Sequence, residues 1–152
     1  MRQIVLVFLI CGVLAACSDE ENRKEVIPPS ATIINFPPTL SLEERQAYET
    51  GFEQLRQLHT SMDAVWGAIS RGETAQCGTE YEIISPERFS DDQPIGMELR
   101  TAAVELADAV RLWQAECENP RTEIPPDVID RGVRMVLTAG DALREAEQLL
   151  SE

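Results

Sequence analysis

The sequence predicts an all-α fold, a three-helix bundle, and three observations support this. Three separate segments carry apolar residues at alternating steps of four and three, which is the spacing of one face of a helix. Alternation of apolar and polar residues competes only at residues 80–84. With Trp 2, Tyr 2 and Phe 4 in 152 residues, the core must be filled mainly by Leu, Val, Ile and Ala, which suits packed helices better than a sandwich.

The first helix is predicted over residues 41–71. Ser41 and Glu44 have the spacing of a capping box, and Gly72 follows the last predicted turn. The stripe is widened by Leu58 and Val65 and consists of Tyr48, Phe52, Leu55, His59, Met62, Trp66 and Ile69.

The second helix is predicted over residues 95–118 and the third over 126–151. The second ends before Pro120, and the third begins at Pro125-Pro126, because proline suits the first turn of a helix. Asp127 with Arg131, and Asp130 with Arg134, have the spacing of i,i+4 ion pairs on the solvent side of the third helix. The two stripes are Leu99, Ala103, Leu106, Val110, Trp113 and Cys117, and then Ile129, Val133, Val136, Gly140, Leu143 and Leu150.

The N-terminus carries an export signal. Arg2 precedes an apolar run from Ile4 to Val13, and the polar run that starts at Ser18 arrives too early for a membrane-spanning helix. Leu14-Ala15-Ala16-Cys17 then resembles the lipobox of bacterial lipoproteins. The resemblance covers residues 1–17 only. It implies a signal peptide at 1–16, lipid attachment at Cys17, and cleavage before Cys17, usually followed by acylation of the new amine with a fatty acid such as palmitate.

The resemblance also implies a location in the cell envelope. Ser18 in place of Asp resembles the sorting pattern for the outer membrane of a two-membrane host, on its periplasmic face or at the surface. In a one-membrane host the protein would sit on the outer face of the cell membrane. The alternative is an ordinary secreted protein cut near Ala16.

Residues 17–40 are predicted to be a lipidated N-terminus and tether, and residues 41–152 the bundle domain. Pro28-Pro29 and Pro37-Pro38 without helical periodicity favour a semi-rigid spacer. The apolar segment Ile33-Ile34-Asn35-Phe36 is expected to lie against the bundle, with a docking strip for a partner as the alternative.

Two cysteines remain once Cys11 has left with the signal and Cys17 has taken lipid. Cys77 and Cys117 in an oxidising compartment predict one disulfide, and a redox-active pair is the less favoured alternative because such pairs usually lie close in sequence. A closed loop of about 40 residues would contribute about 4 kcal/mol in the loop-entropy model.

This disulfide constrains the direction of the helices. The second helix would be about 34 Å long, and the residues between Arg71 and Cys77 span at most about 17 Å. An antiparallel hairpin would therefore leave Cys117 at the far end from Cys77. Residues 78–94 can extend about 55 Å, so we expect the first two helices to be parallel across a long crossover loop. The alternatives are a first helix that ends near Gly67, or unpaired cysteines.

One capped helical turn is expected inside the crossover at Ser85-Pro86-Glu87-Arg88-Phe89. Ile83, Ile84 and Phe89 are expected to hold this loop against the bundle.

The charge limits the partners. A net charge of −14, from Lys+Arg 13 and Asp+Glu 27, argues against nucleic-acid binding and favours neutral, cationic or apolar partners.

His59 is the only histidine, which excludes an imidazole-rich metal site or a catalytic triad within one chain. It is expected to be a core histidine. The alternative is an axial ligand of a noncovalent haem, with Met62, Met97 or Met135 opposite. The carboxylates are expected at solvent-facing helix positions, and Ser90-Asp91-Asp92-Gln93 is expected to form a turn rather than a calcium loop. No catalytic motif or metal site is predicted, and no cofactor.

Glycines interrupt the predicted helices at Gly51, Gly132 and Gly140. They predict close helix approach, most clearly at Gly140, with a shallow ligand pocket as the alternative. Trp66 and Trp113 are expected in the core rather than in a ligand cage.

The resulting hypothesis is a membrane-anchored envelope lipoprotein that acts as a non-catalytic helical module and binds another protein. The alternative is a binder of a small molecule or haem between the helices around His59. An enzyme is not expected.

Overall fold

The computed structural model describes residues 40–151, and within them three long helices form a bundle. The helices are α1 (Leu42–Ser70), α2 (Pro94–Glu118) and α3 (Pro126–Ser151), with a short 3-10 turn at Pro86–Arg88. No strand occurs in this range, so residues 80–84 are not a strand. The prediction of an all-α three-helix bundle is confirmed, and every helix end lies within one residue of its predicted position. Cys17, the tether and Ile33-Ile34-Asn35-Phe36 lie outside the described residues.

The helix ends follow from local chemistry. At the start of α1 the Ser41 hydroxyl accepts from the Glu44 amide at 3.2 Å, and the Glu44 carboxylate accepts from the Ser41 amide at 2.9 Å, so the capping box is present. Gly72, with a φ of +74°, directly follows the C-cap residue of α1. Both α2 and α3 begin with a proline, whose missing amide hydrogen costs nothing at a first helical position.

Contacts at the two ends of the bundle establish the helix directions. Near the start of α1, Tyr48 lies beside Gly96 in the first turn of α2. Near the end of α1, the Trp66 indole donates to the Ala109 carbonyl at 3.3 Å. The start of α1 therefore lies beside the start of α2, and the end of α1 lies beside the later part of α2, so the two helices are parallel. Arg45 in the first turn of α1 donates to the carbonyl of Leu150 in the last turn of α3 at 2.8 Å, so α3 runs antiparallel to α1, as predicted.

The crossover between α1 and α2 returns along the outside of the bundle. Ile84 and Phe89 are buried and fix it to the core, and Arg88 donates to the Gln54 side chain of α1 at 3.1 Å. Ile83 is exposed, so the expectation that it also holds the loop is wrong, because adjacent residues of an extended segment point in opposite directions. The predicted turn is present, but the Ser85 hydroxyl donates to the Glu87 carboxylate and does not cap the backbone.

The buried face of α3 is rotated from the predicted stripe. Ile129, Val133 and Gly140 are only partly buried, whereas the residues that face the core are Val128, Gly132, Val136, Ala139, Ala142, Leu143 and Ala146. This face is rich in glycine and alanine, which let the helix axis approach the other two helices closely. The larger side chains of Ile129 and Val133 then fill the edges of the contact.

The two ion pairs expected on α3 do not form within the described residues. The pair on this helix is Arg144 with Asp141, three positions apart. An exposed ion pair adds little stability once the loss of side-chain entropy is subtracted, so sequence spacing alone does not predict which of these pairs form.

Candidate functional site

His59 lies at the α1–α3 contact and is partly buried. Its Nε2 is 3.1 Å from the Val136 carbonyl oxygen, and because a carbonyl only accepts, Nε2 carries the proton and donates. A methyl group on Gly140 would lie 2.8 Å from this nitrogen, so the glycine leaves the space that the imidazole ring occupies. The ring therefore joins two helices.

The three methionines considered as partners of His59 lie in different surroundings. Met62 is fully buried in the core, Met135 is partly buried and packs against the core, and Met97 is exposed on α2. Because the Nε2 of His59 already donates to Val136, this arrangement provides no observation that favours an axial haem ligand. The haem hypothesis stays a prediction from the sequence.

Both tryptophans are buried where the ends of α1 and α2 meet. Their rings pack edge to face with centroids 6.2 Å apart, a favoured aromatic geometry. α3 packs directly against the Trp66 ring at Gly132, since a methyl group on this glycine would lie 2.3 Å from the indole ring. The helices therefore approach each other most closely at Gly132. The sequence analysis had expected the closest approach at Gly140.

The disulfide lies at this same end of the bundle. Cys77 and Cys117 are joined with their Cα atoms 5.6 Å apart, which ties the start of the crossover to the last turn of α2. This bridge holds the segment that follows α1 close to the segment that follows α2.

A cavity of about 440 Å³ opens between these two segments, next to the disulfide. We call it the end cavity. Its walls come from the end of α1, the end of α2, the start of α3 and the two connecting loops. The large apolar side chains of its lining are Ile69, Trp113, Ile124 and Ile129.

Glu116 is the buried acidic group of this cavity. It lines the end cavity, its side chain is only 6% exposed, and its Oε1 lies 3.4 Å from the Arg121 guanidinium. No group in the described part of the chain donates to its other oxygen, Oε2, which is also buried. The expectation that the carboxylates lie at solvent-facing positions is therefore wrong for Glu116. Its position three residues after Trp113, on the buried face of α2, could have revealed this.

The remaining charged residues of the end cavity make it negative. Glu73 and Glu123 add two carboxylates to that of Glu116, against the single guanidinium of Arg121. Glu73 is partly neutralised by Arg71, whose bidentate hydrogen bonds lower the pKa of Glu73. With Glu73 paired to Arg71 and Glu116 to Arg121, Glu123 is the one lining carboxylate that forms no ion pair within the described residues.

The acidic segment before α2 forms a turn. The Ser90 hydroxyl accepts from the Asp92 amide at 3.2 Å and donates to its carboxylate at 3.1 Å, while Asp91 pairs with Arg100 at 3.3 Å. The side chains of this segment are thus used within the protein. No cluster of metal-ligating side chains occurs among residues 40–151. Within that same range, none of the helices has the length and apolar character needed to span a bilayer.

Comparison with family models, curated proteins and solved structures found no match for this chain.

Proposed function

We propose that this protein is a lipid-anchored, non-catalytic binding domain of the bacterial cell envelope. The observation that carries the proposal is Leu14-Ala15-Ala16-Cys17 directly after an apolar export segment. Lipid on Cys17 would hold the chain at a membrane, since two or three acyl chains anchor a protein stably and one does so only marginally.

The disulfide of the folded domain supports export independently of the signal. A bond between Cys77 and Cys117 forms and persists in an oxidising compartment and is rare in the cytosol. The tether of residues 17–40 would let the domain stand away from the lipid surface, where another envelope protein can reach it.

A role in binding rather than catalysis fits the side chains that the fold brings together. His59 donates to a backbone carbonyl, and the acidic turn before α2 uses its side chains locally. With a net charge of −14 over the whole sequence, the protein would attract partners that carry basic or neutral surfaces. The alternative function, a ligand or haem held around His59, gains no support from the geometry at that residue.

The anchor is tested by labelling growing cells with a palmitate analogue. Wild-type protein should carry the label, and Cys17→Ser should lose it because the acceptor sulfur is gone. Cys11→Ser is the matched control, since it changes a cysteine of the same signal segment and should keep the label. A labelled Cys17→Ser variant, or unlabelled wild-type protein, would contradict the proposal.

The binding role is tested by capture after crosslinking in intact cells. Tagged wild-type protein should recover an envelope protein that is absent from an untagged control, and Cys17→Ser should recover less of it because the domain is no longer concentrated at the membrane. If wild-type protein recovers nothing above the untagged control, the interaction module is refuted even when the palmitate label is present.

A further inference from the structure

We infer that the Cys77–Cys117 disulfide is a redox-sensitive switch that opens the end cavity. A dithiol reductant that cleaves the bond releases residues 74–83, which we call the strap, from the end of α2, while the three helices stay packed. The inference goes beyond the proposed function and does not depend on the lipid anchor. It rests on how the strap is held, on what the strap covers, and on the exposure of Cys77.

The strap is joined to the bundle mainly through the disulfide. Just before the strap, the Glu73 amide donates to the Ala68 carbonyl at 2.9 Å, and just after it Ile84 is buried. Between these two points no residue of the strap donates or accepts a hydrogen bond within the described part of the chain. Ala75 and Tyr81 are partly buried, and the other residues of the strap are exposed. Without the disulfide, little would hold the strap in place.

The strap is also longer than the distance that it covers. Ile84 lines a small cavity together with Leu58 in the middle of α1. Because α1 rises about 1.5 Å per residue, the chain from Glu73 to Ile84 covers about 20 Å along this helix. Fully extended, the same residues reach about 37 Å. The chain length therefore leaves the strap room to swing away from the bundle once the bond is broken.

The strap forms one wall of the end cavity. Thr74, Ala75 and Cys77 line the cavity together with Trp113 of α2 and Ile129 of α3. With the strap in place, Trp113 is only 5% exposed. Movement of the strap away from the bundle removes this wall and uncovers the apolar side chains behind it. An uncovered apolar patch is a surface that other proteins can bind.

The bond is open to attack from solvent, because Cys77 is exposed whereas Cys117 is partly buried. A thiolate of the reductant attacks Sγ of Cys77 and forms a mixed disulfide, and Sγ of Cys117 leaves with the electron pair of the broken bond and takes up a proton. The second thiolate of the reductant then displaces Cys77 from the mixed disulfide, and its Sγ is protonated in turn. Two electrons thus reduce the protein, and the reductant leaves as a disulfide. Exposed disulfides are the more labile ones in proteins.

The contacts between the helices do not involve the bond. The Trp66 indole donates to the Ala109 carbonyl, and α3 packs against the same ring at Gly132. At the other end of the bundle Arg45 donates to the Leu150 carbonyl. These contacts remain after cleavage, so reduction should open the cavity locally and leave the helices folded.

The test reduces the full-length protein in a non-ionic detergent with dithiothreitol, and alkylation with mass spectrometry confirms that both thiols of the pair are free. The bimolecular constant for acrylamide quenching of tryptophan emission should rise about twofold or more as Trp113 is uncovered, while the far-ultraviolet circular dichroism stays unchanged. Trp113→Phe should remove most of this rise, because Trp66 stays buried. The double variant Cys77→Ser, Cys117→Ser should give the high constant with and without reductant.

Gly78→Ala tests the bend beside Cys77. Gly78 has a φ of +98°, which alanine rarely adopts, and no atom lies within 4 Å of an added methyl group. Because release of the strap lets this bend relax, Gly78→Ala should shift the reduction equilibrium toward the thiols about fivefold or more in a dithiothreitol redox buffer. Gly67→Ala, in the interior of α1, is the matched control and should leave this equilibrium unchanged.

An unchanged quenching constant after complete reduction would overturn the inference, and so would a bond that the folded protein retains in dithiothreitol. Loss of the helical signal on reduction would overturn it as well, because the bond would then hold the whole bundle together. An unchanged equilibrium in Gly78→Ala would overturn the movement of the strap at that residue. Since none of these results depends on lipid at Cys17, failure here leaves the anchor standing, and failure of the anchor leaves the switch standing.

Discussion

Replacing Gly132 by alanine should destabilise the bundle, although alanine is the better helix former. A methyl group on Gly132 would lie 2.3 Å from Cδ2 of Trp66, against the 3.4 Å at which ordinary contact begins. The indole ring is fully buried, and its Nε1 donates to the Ala109 carbonyl. The ring can therefore give way by the required distance of about 1 Å only by disturbing its packing against α2.

Two opposing effects set the magnitude. Alanine in a helix interior is favoured over glycine by about 1 kcal/mol. Overpacking a well-filled core costs about 1 to 3 kcal/mol, and a displacement this large in a fully buried ring belongs at the upper end of that range. The net loss should be about 2 kcal/mol, which corresponds to a fall in Tm of about 8 °C for a domain of this size.

Gly67→Ala is the matched control for this substitution. Gly67 also lies in a helix, but the nearest atom to an added methyl group would be Nη1 of Arg71 at 3.3 Å, the end of a flexible and largely exposed side chain. This variant should be more stable than the wild type by up to about 1 kcal/mol.

Thermal and urea unfolding of the full-length protein in detergent, followed by far-ultraviolet circular dichroism, measures both variants. Opposite changes in stability, a loss for Gly132→Ala and a gain for Gly67→Ala, are expected if Gly132 packs against Trp66. If Gly132→Ala proves as stable as Gly67→Ala, then α3 does not pack against Trp66 of α1 at Gly132, and the helices of the bundle are arranged differently.

Three further predictions concern the bridge and the start of α1. Reducing the disulfide, or replacing Cys77 and Cys117 by serine, should lower stability by up to about 4 kcal/mol, and the double variant should be insensitive to reductant in the same melt; a wild-type protein that ignores reductant would contradict this. Ser41→Ala should cost about 1 kcal/mol in urea unfolding through loss of the helix cap. The Ser41 hydrogen bonds lower the pKa of Glu44, so the stability they add is present above the ordinary carboxylate pKa and is lost as the pH falls through the lowered pKa. The difference in unfolding free energy between wild type and Ser41→Ala should therefore shrink in acid. A difference that stays constant with pH would show that the cap does not depend on the charge of Glu44. Burial first, and nearby carboxylates such as Glu44 second, raise the pKa of Tyr48, so an ultraviolet titration should show a tyrosine that ionises above the ordinary pKa of 10.0 and is absent in Tyr48→Phe.

The features that the sequence predicted correctly are those with a local or a geometric cause. Capping by Ser41, Pro120 after α2 and the prolines at the start of α3 act within a few residues, so these helix ends could be placed closely. The directions of the helices followed from one distance constraint, because the loop before Cys77 is too short to reach the far end of α2.

The features that were missed depend on how the helices pack. The rotation of α3 follows from the close approach that Gly132 and its neighbouring alanines permit, and periodicity alone does not reveal which of two adjacent faces is the closer one. The end cavity is formed by loops from distant parts of the chain. Glu116 was overlooked because an acidic residue at a helix end is usually solvated.

The membrane anchor is tested most directly by mass spectrometry of the N-terminal peptide from protein extracted from native membranes. We expect a mature chain that begins at Cys17, with a diacylglyceryl group on its sulfur. A mature terminus that begins at any other residue, or a Cys17 peptide without lipid, would contradict the claim that this domain works from a membrane anchor.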